Sequence, residues 1–118
     1  MKQGPPMLQQ GEDVRMPKSF DTFFSIGPII ATKDEFEVLQ SLKISTIKNG
    51  MVEYSNYVRN MLFSPEKLIS FHSQTFKFEP GDIISTGTPG AVEIQRGDVV
   101  KCLIEGEGSI SLENKVLQ

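Results

Sequence analysis

Two segments of this chain carry groups able to hold an anion. In Lys18-Ser19-Phe20-Asp21-Thr22-Phe23 a single cation stands beside two small hydroxyls and a carboxylate. Pro17 precedes it and holds Met16 extended, which gives the lysine a stiff stem. An ammonium placed there can face a substrate carboxylate or an enolate oxygen, and desolvation would lower its pKa towards proton transfer. A solvated lysine at a loop edge is the plainer alternative. The second segment, Thr86-Gly87-Thr88-Pro89-Gly90, offers backbone N–H groups and two hydroxyls after an apolar stretch. A glycine at 87 lets a ligand approach the main chain closely, and such a loop can cradle a carboxylate or an oxyanion. An ordinary turn is the alternative. The segment lacks the Gly-Lys-Ser/Thr ending of a phosphate-binding loop, so nucleotide binding has no support.

The remaining chemistry-bearing residues are sparse. Asp21 is one carboxylate, and one carboxylate is not a metal site; a turn acceptor for nearby N–H groups is the simpler reading. His72 is the only histidine and lies on the apolar side of an expected helix, which reads as a partly buried, hydrogen-bonded side chain. Cys102 is the only cysteine, which excludes an intrachain disulfide and fits a reducing, cytoplasmic compartment. Its neighbours, Val99-Val100-Lys101-Cys102-Leu103-Ile104, mark it as a small apolar core residue rather than a reactive thiol. No Ser-His-Asp arrangement and no Cys-rich metal framework can be assembled.

The elements that must position these groups are short. The chain has 118 residues and a formal charge of −3, enough for one domain. Its 12 basic residues are dispersed among 15 acidic ones, which argues against nucleic acid as a partner. No apolar run is long enough to span a membrane or serve as a signal core. Residues 1–17 form an irregular, Pro- and Gln-bearing arm, and 18–118 the folded part. Pro28 to Thr32 is expected as a strand entered through Gly27-Pro28, followed by a helical turn or loop from Asp34 to Val38. Leu42 to Lys48 alternates as a half-buried strand should. Asn49-Gly50 then closes a hairpin onto Met51–Tyr54, because both turn residues accept positive φ.

Ser64-Pro65-Glu66-Lys67 opens the one clear helix, with a capping hydroxyl, a proline at the first helical position and an acid against the dipole. Leu68, Ile69, His72 and Phe76 make its apolar face, and it is expected to end near Gln74 or Thr75. Gly81-Asp82 and Gly97-Asp98 each launch an apolar strand, Ile83 to Thr86 and Val99 to Ile104. A last strand is expected within Ser109–Leu117. Five to seven short strands and one helix make a mainly β chain with minor α content, an α+β roll or sandwich.

Taken in order, these motifs resemble the fumarylacetoacetate hydrolase family. The resemblance rests on Lys18-Ser19-Phe20-Asp21-Thr22-Phe23 with Ile26-Gly27-Pro28, on Lys48-Asn49-Gly50, on Met61-Leu62-Phe63-Ser64-Pro65, on Pro80-Gly81-Asp82 with Thr86-Gly87-Thr88-Pro89, and on Gly97-Asp98-Val99-Val100. It covers nearly everything from Arg15 to Val116. It implies a mixed β-sandwich roll, incomplete at its amino-terminal side. It also implies a magnesium- or manganese-dependent enzyme acting on 2-oxo or 1,3-dicarbonyl acids by C–C hydrolysis, decarboxylation, isomerisation or dehydration. Lys18 matches the family's active-site lysine, Thr22 a threonine beside the metal, and Thr88, with Gly87 and Pro89, the substrate-contacting loop.

The resemblance places the metal carboxylates, a Glu-x-Glu pair and an Asp, upstream of the lysine. No Glu-x-Glu precedes Lys18; Glu105-x-Glu107 has the spacing but sits downstream in a glycine turn. The run Tyr57-Val58-Arg59-Asn60 replaces the family's small polar run. No carboxylate that ligates the metal is therefore expected here, with Lys18 and Thr22 only near the metal, and the isolated chain is expected to be inactive. The partners expected are a small 2-oxo or dicarbonyl acid and either a second copy or a complementary amino-terminal half. Neither nucleic acid nor membrane is expected. A non-catalytic binding or assembly module that keeps the fold is the alternative.

Overall fold

The computed structural model describes residues 20–36 and 38–117. The arm expected over 1–17, and Lys18 and Ser19, lie outside the described residues. A four-stranded antiparallel sheet carries the architecture: β1 (Lys43–Lys48), β2 (Met51–Tyr57), β3 (Val99–Glu105) and β4 (Ser109–Lys115), in the spatial order β2-β1-β3-β4. The only α-helix among the described residues is α1 (Pro65–Ser73). The chain is thus mainly β with minor α content.

The hairpin forms where the sequence places it. Asn49 and Gly50 take φ of 51° and 82°, the pair of positive values that matches the twist of the flanking strands. Pairing runs from Lys48↔Met51 to Lys43↔Tyr57, with one register irregularity between Thr46 and Ile47. β1 then pairs β3 from Lys48↔Val100 to Lys43↔Glu105. Because successive side chains alternate faces, Ile44, Thr46, Asn56, Tyr54, Cys102 and Ile104 share one face. Ser45, Ser55 and Leu103 share the other. Ser45 is 3% exposed, and its hydroxyl lies 3.0 Å from that of Ser55; a buried hydroxyl keeps its place only when paired.

α1 starts as its sequence demands. The Ser64 hydroxyl accepts from the Lys67 N–H at 3.2 Å, Pro65 occupies the first turn, and Gln74 is the C-cap. Such an N-cap contributes about 1 kcal/mol. Its expected apolar face is only half-used: Leu68 and His72 are half-buried, while Ile69 and Phe76 are 49% and 61% exposed. Phe71 meets the His72 ring edge-on at 5.3 Å. The His72 ring makes no side-chain hydrogen bond to the described residues, so only the partial burial expected of it is found.

Three expectations are corrected. Pro28–Thr32 and Ile83–Thr86 are not paired strands. A strand needs a neighbour to take its N–H and C=O groups, and Ile29, Ile30 and Ile83 are 61%, 84% and 65% exposed. The described residues accordingly hold four strands rather than five to seven. Cys102 is exposed rather than a core residue: its strand is central, but the sheet face it occupies is uncovered. Among the described residues Val116 is the only large hydrophobic fully buried, at 2%, although a chain of this size normally buries an extended core.

Candidate functional site

The uncovered face of the sheet opens into a cavity of about 640 Å³ between the sheet and α1, within the range usual for small-molecule sites. Ile44, Ile104 and Cys102 form its floor, and Met61, Phe63 and Leu68 one side. Thr86, Gly87, Thr88 and Pro89 form another. Asn56, Tyr57 and Asn60 add polar groups. The loop expected to cradle an anion therefore does border a pocket.

Local geometry explains how the loop holds its shape. Gly87 has φ of 117°, and a Cβ built on it would meet nothing within 4 Å. The glycine is demanded by backbone conformation and not by crowding. Gly90 is demanded by crowding: a Cβ there would lie 2.5 Å from ring carbons of Tyr54, so the loop rests directly on the ring from β2. The Thr88 hydroxyl donates to the Gly90 carbonyl at 3.1 Å. Its single proton is thereby committed within the loop, which leaves its lone pairs and the loop's N–H groups for a ligand.

A second hydrogen-bonded unit stands at Asn56–Asn60. The Asn56 Oδ1 accepts from the Tyr57 N–H at 2.9 Å and from Asn60 Nδ2 at 2.7 Å. The 3-10 turn Val58–Asn60 is closed by the Met61 N–H bonding to the Val58 carbonyl at 3.0 Å. The Arg59 guanidinium lies over the Tyr57 ring, 3.9 Å from its centroid. Sequence reasoning noted this run only as a departure from the family pattern. The signal available was Asn56 and Asn60 one helical turn apart flanking an aromatic and an arginine.

Thr22 sits in an exposed turn closed by the Phe23 N–H bonding to the Phe20 carbonyl at 3.1 Å, and has φ of 67°. A β-branched residue there is a backbone outlier. Thr22 does not line the cavity, so among the described residues the structure brings Gly87, Thr88 and Pro89 to it but not Thr22. Asp21 occupies the same turn and accepts no hydrogen bond from the described residues. Cys102 reaches the cavity, and desolvation by its apolar walls pushes the thiol above its ordinary value, the opposite of nucleophile activation.

Among the described residues no three His, Cys, Asp or Glu side chains gather as a metal site. The described residues therefore do not by themselves fit a divalent ion. No described helix is long and apolar enough to cross a membrane.

Comparison with known proteins agrees with this architecture. Residues 6–117 match the family described as "Fumarylacetoacetate (FAA) hydrolase C-terminal". The human oxaloacetate tautomerase FAHD2A, mitochondrial, is 40% identical over 94% of this chain and 37% of its own length. Its mitochondrial name differs from the cytoplasmic placement expected above. Among solved structures, a 5-carboxymethyl-2-hydroxymuconate delta-isomerase from Mycobacterium smegmatis superposes with a TM-score of 0.81 at 32% identity, over 96% of this chain and 43% of that one. Maleylpyruvate hydrolase from Sphingobium sp. SYK-6, in complex with manganese(II) and pyruvate, gives 0.80 at 28% identity, over 87% and 39%. The chain thus spans well under half the length of each of these relatives. With that match over almost its whole length, it belongs to the fumarylacetoacetate hydrolase family and corresponds to the carboxy-terminal part of its members.

Proposed function

We propose that this chain forms the carboxy-terminal wall, residues 18–118, of an enzyme site that processes a small 2-oxo or 1,3-dicarbonyl acid through an enolate. The observation that carries the reading is the Thr86–Pro89 loop lining a cavity of ligand size, in a family whose matched members are named as tautomerase, isomerase and hydrolase. Oxaloacetate and maleylpyruvate, named in two of these relatives, make small dicarboxylic 2-oxo acids the first candidates.

The roles follow from the groups. The N–H groups flanking Gly87 and Thr88 receive a substrate carboxylate or oxyanion, as preorganised dipoles in a partly dry cavity do. Pro89, lacking an N–H, ends that donor set. Lys18, by its match to the family lysine, sets an ammonium beside the developing enolate oxygen or, when desolvated, moves a proton at the α-carbon. Thr22, by its match to the family threonine, is the near-metal candidate, although it does not line the cavity. A manganese ion accompanies pyruvate in one relative; a magnesium or manganese ion here would draw its carboxylates from outside the described residues. Those carboxylates come from the rest of a longer chain or from a partner chain, and residues 18–118 alone are inactive. The lone cysteine suits any reducing compartment, the mitochondrial matrix included.

The test is keto–enol exchange and cleavage of oxaloacetate and acylpyruvates by the native protein, with magnesium and after chelation. Lys18→Met should lose about 10²-fold or more in kcat with unchanged Tm; rates close to wild type would refute the role. A second reading, a non-catalytic assembly module, is favoured by the large apolar side chains left open, among them Leu62 at 90% exposed. Absence of turnover on every acid, with no stoichiometric partner carrying a Glu-x-Glu pair retained, would select it.

A further inference from the structure

The cavity floor is laid in cross-strand rows. Asn56 stands opposite Ile44 of β1, and Ile44 opposite Ile104 of β3. Directly opposed residues share a sheet face, and all three line the cavity. Thr46, Tyr54 and Cys102 form the neighbouring row on that face. Gly90 rests on the Tyr54 ring, so Asn56, two residues and roughly 7 Å further along β2, is the next side chain on the cavity face beyond the loop's support. Its amide has a fixed orientation. The Tyr57 N–H can only donate, so the atom it meets at 2.9 Å is Oδ1, and Asn60 Nδ2 donates to the same oxygen at 2.7 Å. Among the described residues Nδ2 meets no acceptor, which leaves it both protons. Beside Ile44 and Ile104, a donor stripped of water when a ligand enters must find a new acceptor or carry the loss.

We infer that Asn56 is a specificity-determining residue whose Nδ2 donates to an acceptor oxygen at the substrate end remote from the 2-oxo acid group. The inference rests on the functional reading above and narrows its substrate to short acids that carry a second carbonyl or carboxylate oxygen. A substrate held by one end at the Thr86–Pro89 loop crosses apolar floor and meets this amide on the same sheet face. The Tyr57 N–H and Asn60 act through Oδ1, so that Nδ2 is the group on offer. A neutral amide serves a carboxylate, ester or ketone oxygen alike, and a site built to bond an oxygen rejects the analogue that lacks it.

The experiment compares oxaloacetate, its 4-methyl ester and 2-oxobutanoate, which has a methyl group in place of the remote carboxylate, on the native protein with magnesium. KM is read from enzyme-dependent exchange of the C3 hydrogens into deuterated solvent. Asn56→Asp keeps an oxygen for the Tyr57 N–H and Asn60 Nδ2 and replaces the donor by an acceptor. It should retain Tm and raise KM for the ester about tenfold, the loss of one hydrogen bond with an acceptor left unpaired. Oxaloacetate should rise further, because its remote carboxylate also meets the new charge, while 2-oxobutanoate keeps its KM. Asn56→Ala, which removes the brace as well, should lower Tm and raise KM for oxaloacetate and the ester by similar factors. A rise confined to oxaloacetate in Asn56→Asp would reduce the effect to repulsion, and equal shifts for all three acids, or none, would remove the contact. Each of these overturns the inference while leaving the functional reading intact. A wild type that processes none of the acids overturns that reading and the inference with it.

Discussion

Asn49 and Asp98 are tied across the sheet by a reciprocal arrangement. The Asn49 Nδ2 donates to Asp98 Oδ1 at 2.9 Å, and Asn49 Oδ1 accepts from the Val99 N–H at 2.9 Å. The Asn49 N–H bonds to the Val99 carbonyl at 2.8 Å, and the Asp98 carbonyl takes the Val116 N–H at 2.8 Å. The hairpin turn, the start of β3 and the end of β4 are thus one unit, built around the buried Val116. That unit ties the β1–β2 turn to the start of β3 and the residue after β4.

Replacing Asn49 with alanine removes both side-chain bonds and puts a non-glycine residue without local compensation at positive φ. The expected loss is about 2 kcal/mol, read from urea unfolding of the native protein. Asn49→Gly should recover the conformational part. A midpoint unmoved by Asn49→Ala would show that the turn is held otherwise.

Asp98 titrates below its ordinary value, first because Asn49 donates to it, then through the Gln95 N–H, with Lys48 adding attraction. Asp34 is lowered by the Thr32 hydroxyl, and Glu66 by its own backbone N–H and the Ser64 hydroxyl. A depressed folded-state pKa gives stability that is present above the unfolded value and lost as pH falls through the folded one. Stability should therefore fall below the ordinary carboxylate range, and Asp98→Asn should flatten part of that slope. An unchanged slope in Asp98→Asn would remove Asp98 from the acid transition.

At Gly90 the ring of Tyr54 leaves no room for a methyl group. Gly90→Ala must displace the loop, at about 1–3 kcal/mol, and should lower kcat/KM by moving Thr88 and its partner carbonyl. Adding Tyr54→Ala should restore part of both. If Gly90→Ala alone behaves as wild type, the loop does not rest on the ring.

Cys102 faces the cavity with a thiol pushed above its ordinary value by desolvation. Its alkylation by iodoacetamide should be slower than that of free cysteine, with the pH–rate inflection displaced upward. A downward displacement would mark an activated thiolate, which the apolar floor does not provide.

Features resting on neighbouring residues were legible in the sequence, and features resting on distant ones were not. Asn49-Gly50, the Ser64-Pro65 helix start and the strands after Gly97-Asp98 and within Ser109–Leu117 follow from local geometry, and all are present. Pro28–Thr32 and Ile83–Thr86 have strand-like composition, yet pairing depends on a neighbour that their own sequence does not contain. Cys102 sits in an apolar run that looked like core, but which sheet face is covered is decided by what packs on it. For the site, residue type singled out the Thr86–Pro89 loop as a possible pocket edge, and the loop borders the cavity. That Tyr57 and Asn60 border the same cavity was not read, because their nearness to that loop exists only once the end of β2 and the loop fold together.

The central claim, that the Thr86–Pro89 loop holds the substrate, turns on the Thr88 hydroxyl bonded to the Gly90 carbonyl. The decisive measurement is the KM for a 2-oxo acid in Thr88→Val and Thr88→Ser of the native, metal-loaded protein. Thr88→Val should raise KM about tenfold through loss of the hydroxyl contact, with Thr88→Ser close to wild type. A KM unchanged in Thr88→Val would contradict the account.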